Sequence, residues 1–135
     1  EQLNARLRSM PGELHQYDVS DPFAPEHVGT ARIGGIVDRV AHPATPDVPR
    51  NGGPQMVEVS RDGRRVYLTN SLYSPWDAQF YPDGIKGWMV KLDADVDRGG
   101  LAFDERFFVE FGDELRPHQV RLQGGDASSD SFCYS

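Results

Sequence analysis

From Leu14 onward the chain is written in brief β-branched and aromatic runs, each closed by a cluster of Gly, Pro or Asp, and this punctuation limits the fold more than any other feature. It predicts an all-β chain. Met56-Val57-Glu58-Val59 alternates apolar with polar, Arg61-Asp62-Gly63-Arg64 supplies a turn, and Val66-Tyr67-Leu68-Thr69 is strand-like again, which is the pattern of a hairpin. Trp88 to Leu92 and Phe107 to Phe111 supply a third and a fourth strand. Earlier, Leu14 to Val19 and Val28 to Ile33 make an antiparallel pair, closed by Ser20-Asp21-Pro22 and Gly34-Gly35.

Two stretches break the pattern. Leu3, Leu7 and Met10 recur at helical spacing until Pro11-Gly12 stops them, so residues 1–11 are expected to be a short helix or an arm. His42 to Pro54 carries four prolines and two glycines, and proline has no N–H to give a ladder. That stretch is expected to be loop and to divide two structural units.

Four short antiparallel strands with tight turns resemble one blade of a β-propeller with an enlarged loop. The earlier pair would be the outer half of the preceding blade, and Val120 to Leu122, with Phe132 to Tyr134, would begin the next. A ring of four blades at about 40 residues each needs roughly 160 residues to close. With 135 residues the chain is expected to be a piece of a longer protein, whose exposed faces and strand edges other blades or another chain would cover.

Composition narrows the function classes. Thirty-eight percent hydrophobic and 26% charged residues suit a globular core, and a net charge of −7 repels the phosphates on which nucleic-acid affinity depends. No apolar run reaches the roughly 20 residues of a membrane span. The single cysteine, Cys133, excludes an intrachain disulfide framework and a CxxC metal knuckle.

Several residues carry candidate chemistry. Between the second and third strands of the regular unit, Ser71 to Pro82 is longer than a hairpin needs. Ser74 fits an N-cap, Pro75 the first helical position, and Leu72, Trp76 and Phe80 recur every four residues, so a helical turn is expected there. Its aromatic face is either a pocket wall or a plug that packs the blade. Asp93, Asp95 and Asp97 alternate like a calcium loop, but Arg98 stands where the turn glycine belongs and Asp104 where the bidentate glutamate belongs. His15, His27, His42 and His118 show neither HxH nor HExxH spacing, so a metal site would have to be assembled in space. His118 is the best placed, before a short strand where a propeller presents side chains at one end of its channel. Gly124 to Asp130 lacks the lysine of a phosphate loop and the nucleophile elbow of a hydrolase, and reads as a turn.

Gly53-Pro54-Gln55-Met56, Asp62 to Tyr67, Ser71 to Ser74 with Trp76-Asp77, Gln79 to Asp83, and Gly124-Gly125-Asp126 with Ser128-Ser129-Asp130 together resemble the C-terminal part of the selenium-binding protein family, also called methanethiol oxidases. Gln16 to Pro22 fits the same family upstream, and the resemblance runs from Gly12 to Ser135. It implies the C-terminal blades of a seven-bladed propeller that oxidises methanethiol with oxygen and water to formaldehyde, hydrogen sulfide and hydrogen peroxide, using copper held by histidines. His118 matches a histidine of the family's closing motif and is implied to be a copper ligand, and Trp76, Phe80 and Tyr81 are expected to line the pocket for the methyl group. His15, His27 and His42 match no metal-site position. Residues 1–11 do not look like the family's strands, and Ala127 replaces a cysteine of animal relatives, which points to the bacterial branch. The piece alone is expected to be inactive. Two rivals stand beside this expectation: a noncatalytic propeller that binds a protein partner, and a structural domain stabilised by calcium at Asp93 and Asp95.

Overall fold

A computed structural model describes residues 12–35, 39–70, 74–118 and 120. The expectations for residues 1–11, for the Gly124 to Asp130 turn, for Cys133 and for strands at 121–122 and 132–134 lie outside the described residues.

The chain is mostly antiparallel sheet with one short helix among the described residues. Strands β1 (Glu13–Asp18) and β2 (Glu26–Arg32) pair antiparallel. Their connection is held by side chains, as turn-forming aspartates do: Asp18 Oδ1 accepts from Ser20 N–H at 2.8 Å and Asp21 Oδ1 from Phe23 N–H at 3.0 Å. Gln16 reaches across the molecule, donating to Asp95 O at 3.0 Å and accepting from Gly100 N–H at 2.8 Å. Gly29 and Gly99 permit that docking, because a Cβ on Gly29 would meet Gln16 Oε1 at 2.7 Å and one on Gly99 would meet Val28 Cβ at 2.6 Å.

The proline-rich stretch corrects an expectation. It is not all loop: β3 (Ala41–His42) pairs antiparallel with β4 (Thr45–Pro49) in a sheet of two strands. Pro46 and Pro49 are tolerated because a strand with one neighbour needs donors on one side only. The sheets on either side of the stretch pack together, since Ala31 in β2 and Ile33 just after it belong to the same buried cluster as the larger sheet.

That sheet is a meander of β5 (Met56–Val59), β6 (Arg65–Thr69), β7 (Gly87–Ala94) and β8 (Leu101–Gly112), in the order β5-β6-β7-β8, each antiparallel to the next. The β5–β6 turn follows from its sequence. Asp62 Oδ1 accepts from Arg64 N–H at 2.9 Å, and Gly63 takes the positive φ of 73° that a side chain would resist. In β7 the period of two is plain, with Trp88, Val90 and Leu92 buried. They meet Val66, Leu68, Ala31 and Ile33 in the core. Each fully buried aliphatic side chain there contributes about 1.5–3 kcal/mol.

Strand β8 begins at Leu101, six residues before the expected Phe107. Asp104-Glu105-Arg106 interrupts its apolar pattern, yet Asp104 keeps its place beside the sheet by accepting from Lys91 Nζ at 2.8 Å. That bond draws the Asp104 carboxyl below, and the Lys91 amine above, its ordinary range. The remaining element is helix α1 (Ser74–Phe80), inserted between β6 and β7 as the Pro75, Trp76 and Phe80 spacing predicts. No helix among the described residues is long and apolar enough to cross a membrane.

Candidate functional site

Where β6 ends and β7 begins, the chain has spare length, and a cavity of about 600 Å³ opens between the Arg50-Asn51 segment, the Asp83 to Lys86 loop and Arg116. Its size is that of a small-molecule cleft. Trp88 and Arg50 line it, and Asn70 ties its walls together. Asn70 follows β6 directly; its amide donates to Lys86 O at 2.7 Å and Asn51 O at 3.1 Å, and its carbonyl accepts from Trp88 N–H at 2.8 Å. Trp88 donates its indole N–H to Asn51 O at 2.6 Å. Arg50 donates from Nε to Val40 O and from Nη2 to Ile33 O, both at 3.0 Å, and its guanidinium lies 5.1 Å above the Trp88 ring and 4.9 Å above the Phe103 ring.

This packing takes Arg50 almost out of water, at 4% exposure, and burial pulls its guanidinium down to about 10, so it stays charged at neutral pH. Arg50 Nη1 and Asn51 Oδ1 are buried without a protein partner. A charged donor and an amide acceptor at the wall of a cavity can orient a small polar group. Behind them, His42 is fully buried, stacked on Phe108 at 5.1 Å and edge-on to Phe103 at 5.3 Å. Burial, reinforced by the Arg50 charge, lowers its imidazole below the usual range, against the weaker pull of Asp104. Its Nδ1 accepts from Ala44 N–H at 3.0 Å, which assigns the proton to Nε2.

The cavity wall includes none of the residues singled out from the sequence as site residues, Trp76, Phe80, Tyr81 or His118. Trp76 and Phe80 are 57% and 54% exposed, so the aromatic face of α1 does not plug the sheet. Tyr81 is half-buried; burial raises its phenol and a backbone hydrogen bond from Gly53 pulls the other way. Asp77, buried on the other side of α1, lies 3.8 Å from Arg116 Nε and so joins the helix to the segment that carries His118. Close approach fixes the same segment to the sheet, because a Cβ on Gly87 would strike Leu115 O and meet Pro117 Cδ at 2.6 Å. His118 itself is exposed.

Among the described residues no three His, Cys, Asp or Glu side chains gather as a metal cage. Asp93 sits 3.0 Å from Lys91 Nζ, and Asp95 caps its own turn by accepting from Asp97 and Arg98 N–H at 3.0 and 2.9 Å, which lowers its carboxyl. Sequence reasoning missed Arg50, Asn51 and Asn70. A cation within a Pro- and Gly-rich stretch reads as solvated, and only the long-range bonds of the fold distinguish it.

Comparison with known proteins gives this geometry its context. Residues 8–133 match the family model described as 56 kDa selenium binding protein (SBP56). Among curated proteins, the chain is 43% identical over 143 residues to a methanethiol oxidase of Xenopus tropicalis, covering 88% of this chain and 30% of that protein. It is 43% identical over 140 residues to a methanethiol oxidase of Homo sapiens and 39% identical to selenium-binding protein 3 of Arabidopsis thaliana. The chain thus spans about 30% of the length of these relatives. The crystal structure of a hypothetical selenium-binding protein from Sulfolobus tokodaii superposes with a TM-score of 0.77 at 60% identity, over 93% of this chain and 27% of that one.

Proposed function

Because the chain belongs to the 56 kDa selenium-binding protein (SBP56) family, we propose that it is the C-terminal part of a copper-dependent methanethiol oxidase built as a seven-bladed β-propeller, with residues 12–135 in the propeller and residues 1–11 an arm or short helix before it. The observation that carries this reading is the identity of 43% to proteins named methanethiol oxidase in two vertebrates. The four-stranded meander supports the blade, with β1–β2 as part of the preceding one.

The reaction is methanethiol, oxygen and water to formaldehyde, hydrogen sulfide and hydrogen peroxide. Copper, when bound, supplies the redox chemistry between a thiol and oxygen, for which a soft sulfur ligand and imidazole nitrogen are suited. His118 fits such a role: its imidazole is exposed, on a segment pinned by Gly87 and by the Asp77–Arg116 contact, and the other ligands would come from outside the described residues. Trp76, Phe80 and Tyr81 would shelter the apolar methyl group, since aromatic faces more than half exposed at Trp76 and Phe80 are available to wall a pocket with neighbouring blades. On this reading the piece alone is inactive.

The test is His118→Ala in the full-length enzyme, with copper content and methanethiol turnover measured together. Both are expected to fall; unchanged values for both would remove His118 from the site.

A further inference from the structure

The outer face of the β1–β2 hairpin carries a second cluster, which the oxidase reading does not use. Glu13, His15 and Tyr17 share a face of β1 by the period of two. On β2, His15 faces Thr30 and Tyr17 faces His27. In an unbroken strand, His27 and Thr30 would point to opposite faces, being an odd number of residues apart. The register shift between Gln16 and Tyr17 absorbs one extra residue of β2 and turns His27 back to the face of Thr30. Bulges of this kind re-aim side chains.

The consequence is a triangle of three heteroatoms. His15 Nδ1 and His27 Nε2 are 3.3 Å apart, and Thr30 Oγ1 lies 3.2 Å from the first and 2.8 Å from the second. A metal with bonds of about 2.0–2.1 Å to imidazole nitrogen holds neighbouring donors roughly 2.8–3.4 Å apart, for angles from square to tetrahedral. All three edges fall in that range. Supporting groups are also present. His15 Nε2 lies 3.5 Å from Glu13 Oε2, so the carboxylate can hold the ring proton on Nε2 and leave the Nδ1 lone pair toward the triangle. That pairing is the usual companion of a metal-binding imidazole. The Tyr17 ring packs on the His27 ring at 5.3 Å and limits its rotation. Both imidazoles are exposed, so a hydrated ion can enter and keep water in its remaining positions.

We propose that His15 Nδ1 and His27 Nε2, with Thr30 Oγ1 beside them, form a surface site for a divalent transition-metal ion, taking Cu²⁺ most tightly and Zn²⁺ or Ni²⁺ less so. The site is separate from His118 and does not depend on the oxidase reading. Calorimetric titration of the full-length protein with Zn²⁺ tests it. One zinc equivalent is expected that His15→Asn and His27→Asn each abolish and His118→Ala retains, while Glu13→Gln weakens it about ten- to a hundredfold. Zinc binding unchanged in both His15→Asn and His27→Asn would overturn the site, and so would the absence of any zinc equivalent that survives His118→Ala. Copper content and turnover of the His27→Asn enzyme report on the oxidase reading independently.

Discussion

The interior of β6 and β7 and the two inward residues of the bridge from Val40 to Asn51, His42 and Arg50, are both buried, but opposite means hold them. The first is packed by Val66, Leu68, Trp88, Val90 and Leu92, apolar and alternating. The second turns inward a histidine and an arginine and is fixed by hydrogen bonds from Arg50 to two backbone carbonyls. Non-directional packing tolerates approximate fit, whereas a buried charge is stable only while each of its bonds is made. The two regions meet at Trp88, whose ring lies under Arg50 and whose N–H reaches Asn51.

Removing that meeting point should therefore have the largest effect. Trp88→Ala is expected to cost about 3–5 kcal/mol in urea unfolding, as large aromatic truncations in a core do. A loss below about 1 kcal/mol would mean that Trp88 joins nothing. Arg50→Met comes next. It keeps apolar bulk over Trp88 but strips the Ile33 carbonyl of its side-chain donor and leaves the Val40 carbonyl only the Arg50 backbone N–H at 3.3 Å, so about 1.5–3 kcal/mol is expected from the same measurement. If Arg50→Met were neutral or stabilising, the bridge would be held by packing after all, and the contrast would collapse.

The smallest effect is on pH dependence. Since burial lowers the His42 imidazole in the fold, the unfolded chain takes up its proton first as pH falls. The contribution is complete above the unfolded value of about 6.5 and is lost as pH falls through the lower folded value. Wild-type protein should lose stability as pH falls below about 6.5, and His42→Gln should flatten that part of the curve, read from urea midpoints. An unaltered slope in His42→Gln would assign the dependence to another group.

Which of these regions could be read from sequence follows from the same contrast. Strands β5, β6 and β7 were legible because Met56 to Val59, Val66 to Thr69 and Trp88 to Leu92 carry the strand pattern in their own residues, and the turn residues Asp62 and Gly63 act locally. The start of β8 was hidden because Asp104 enters the sheet through its bond to Lys91, a partner from another strand. The same holds for the bridge: prolines signalled loop, and nothing near Arg50 in sequence announces Ile33 O or the Trp88 ring. For the site, spacing located α1 and its aromatics, but not Asn70, whose three bonds connect residues distant in the chain. The triangle of His15, His27 and Thr30 was invisible for a further reason. It depends on a one-residue register shift, which an apolar pattern does not encode.

The bare backbone at Gly87 has a consequence for inheritance. A methyl group there would strike the Leu115 carbonyl, which as backbone cannot swing aside the way a side chain does, and would force Leu115 and Pro117 away from the strand. Gly87→Ala would therefore unseat the segment that leads to His118 and cost stability at the same time, so at this position the course of the loop and the soundness of the strand are inherited together.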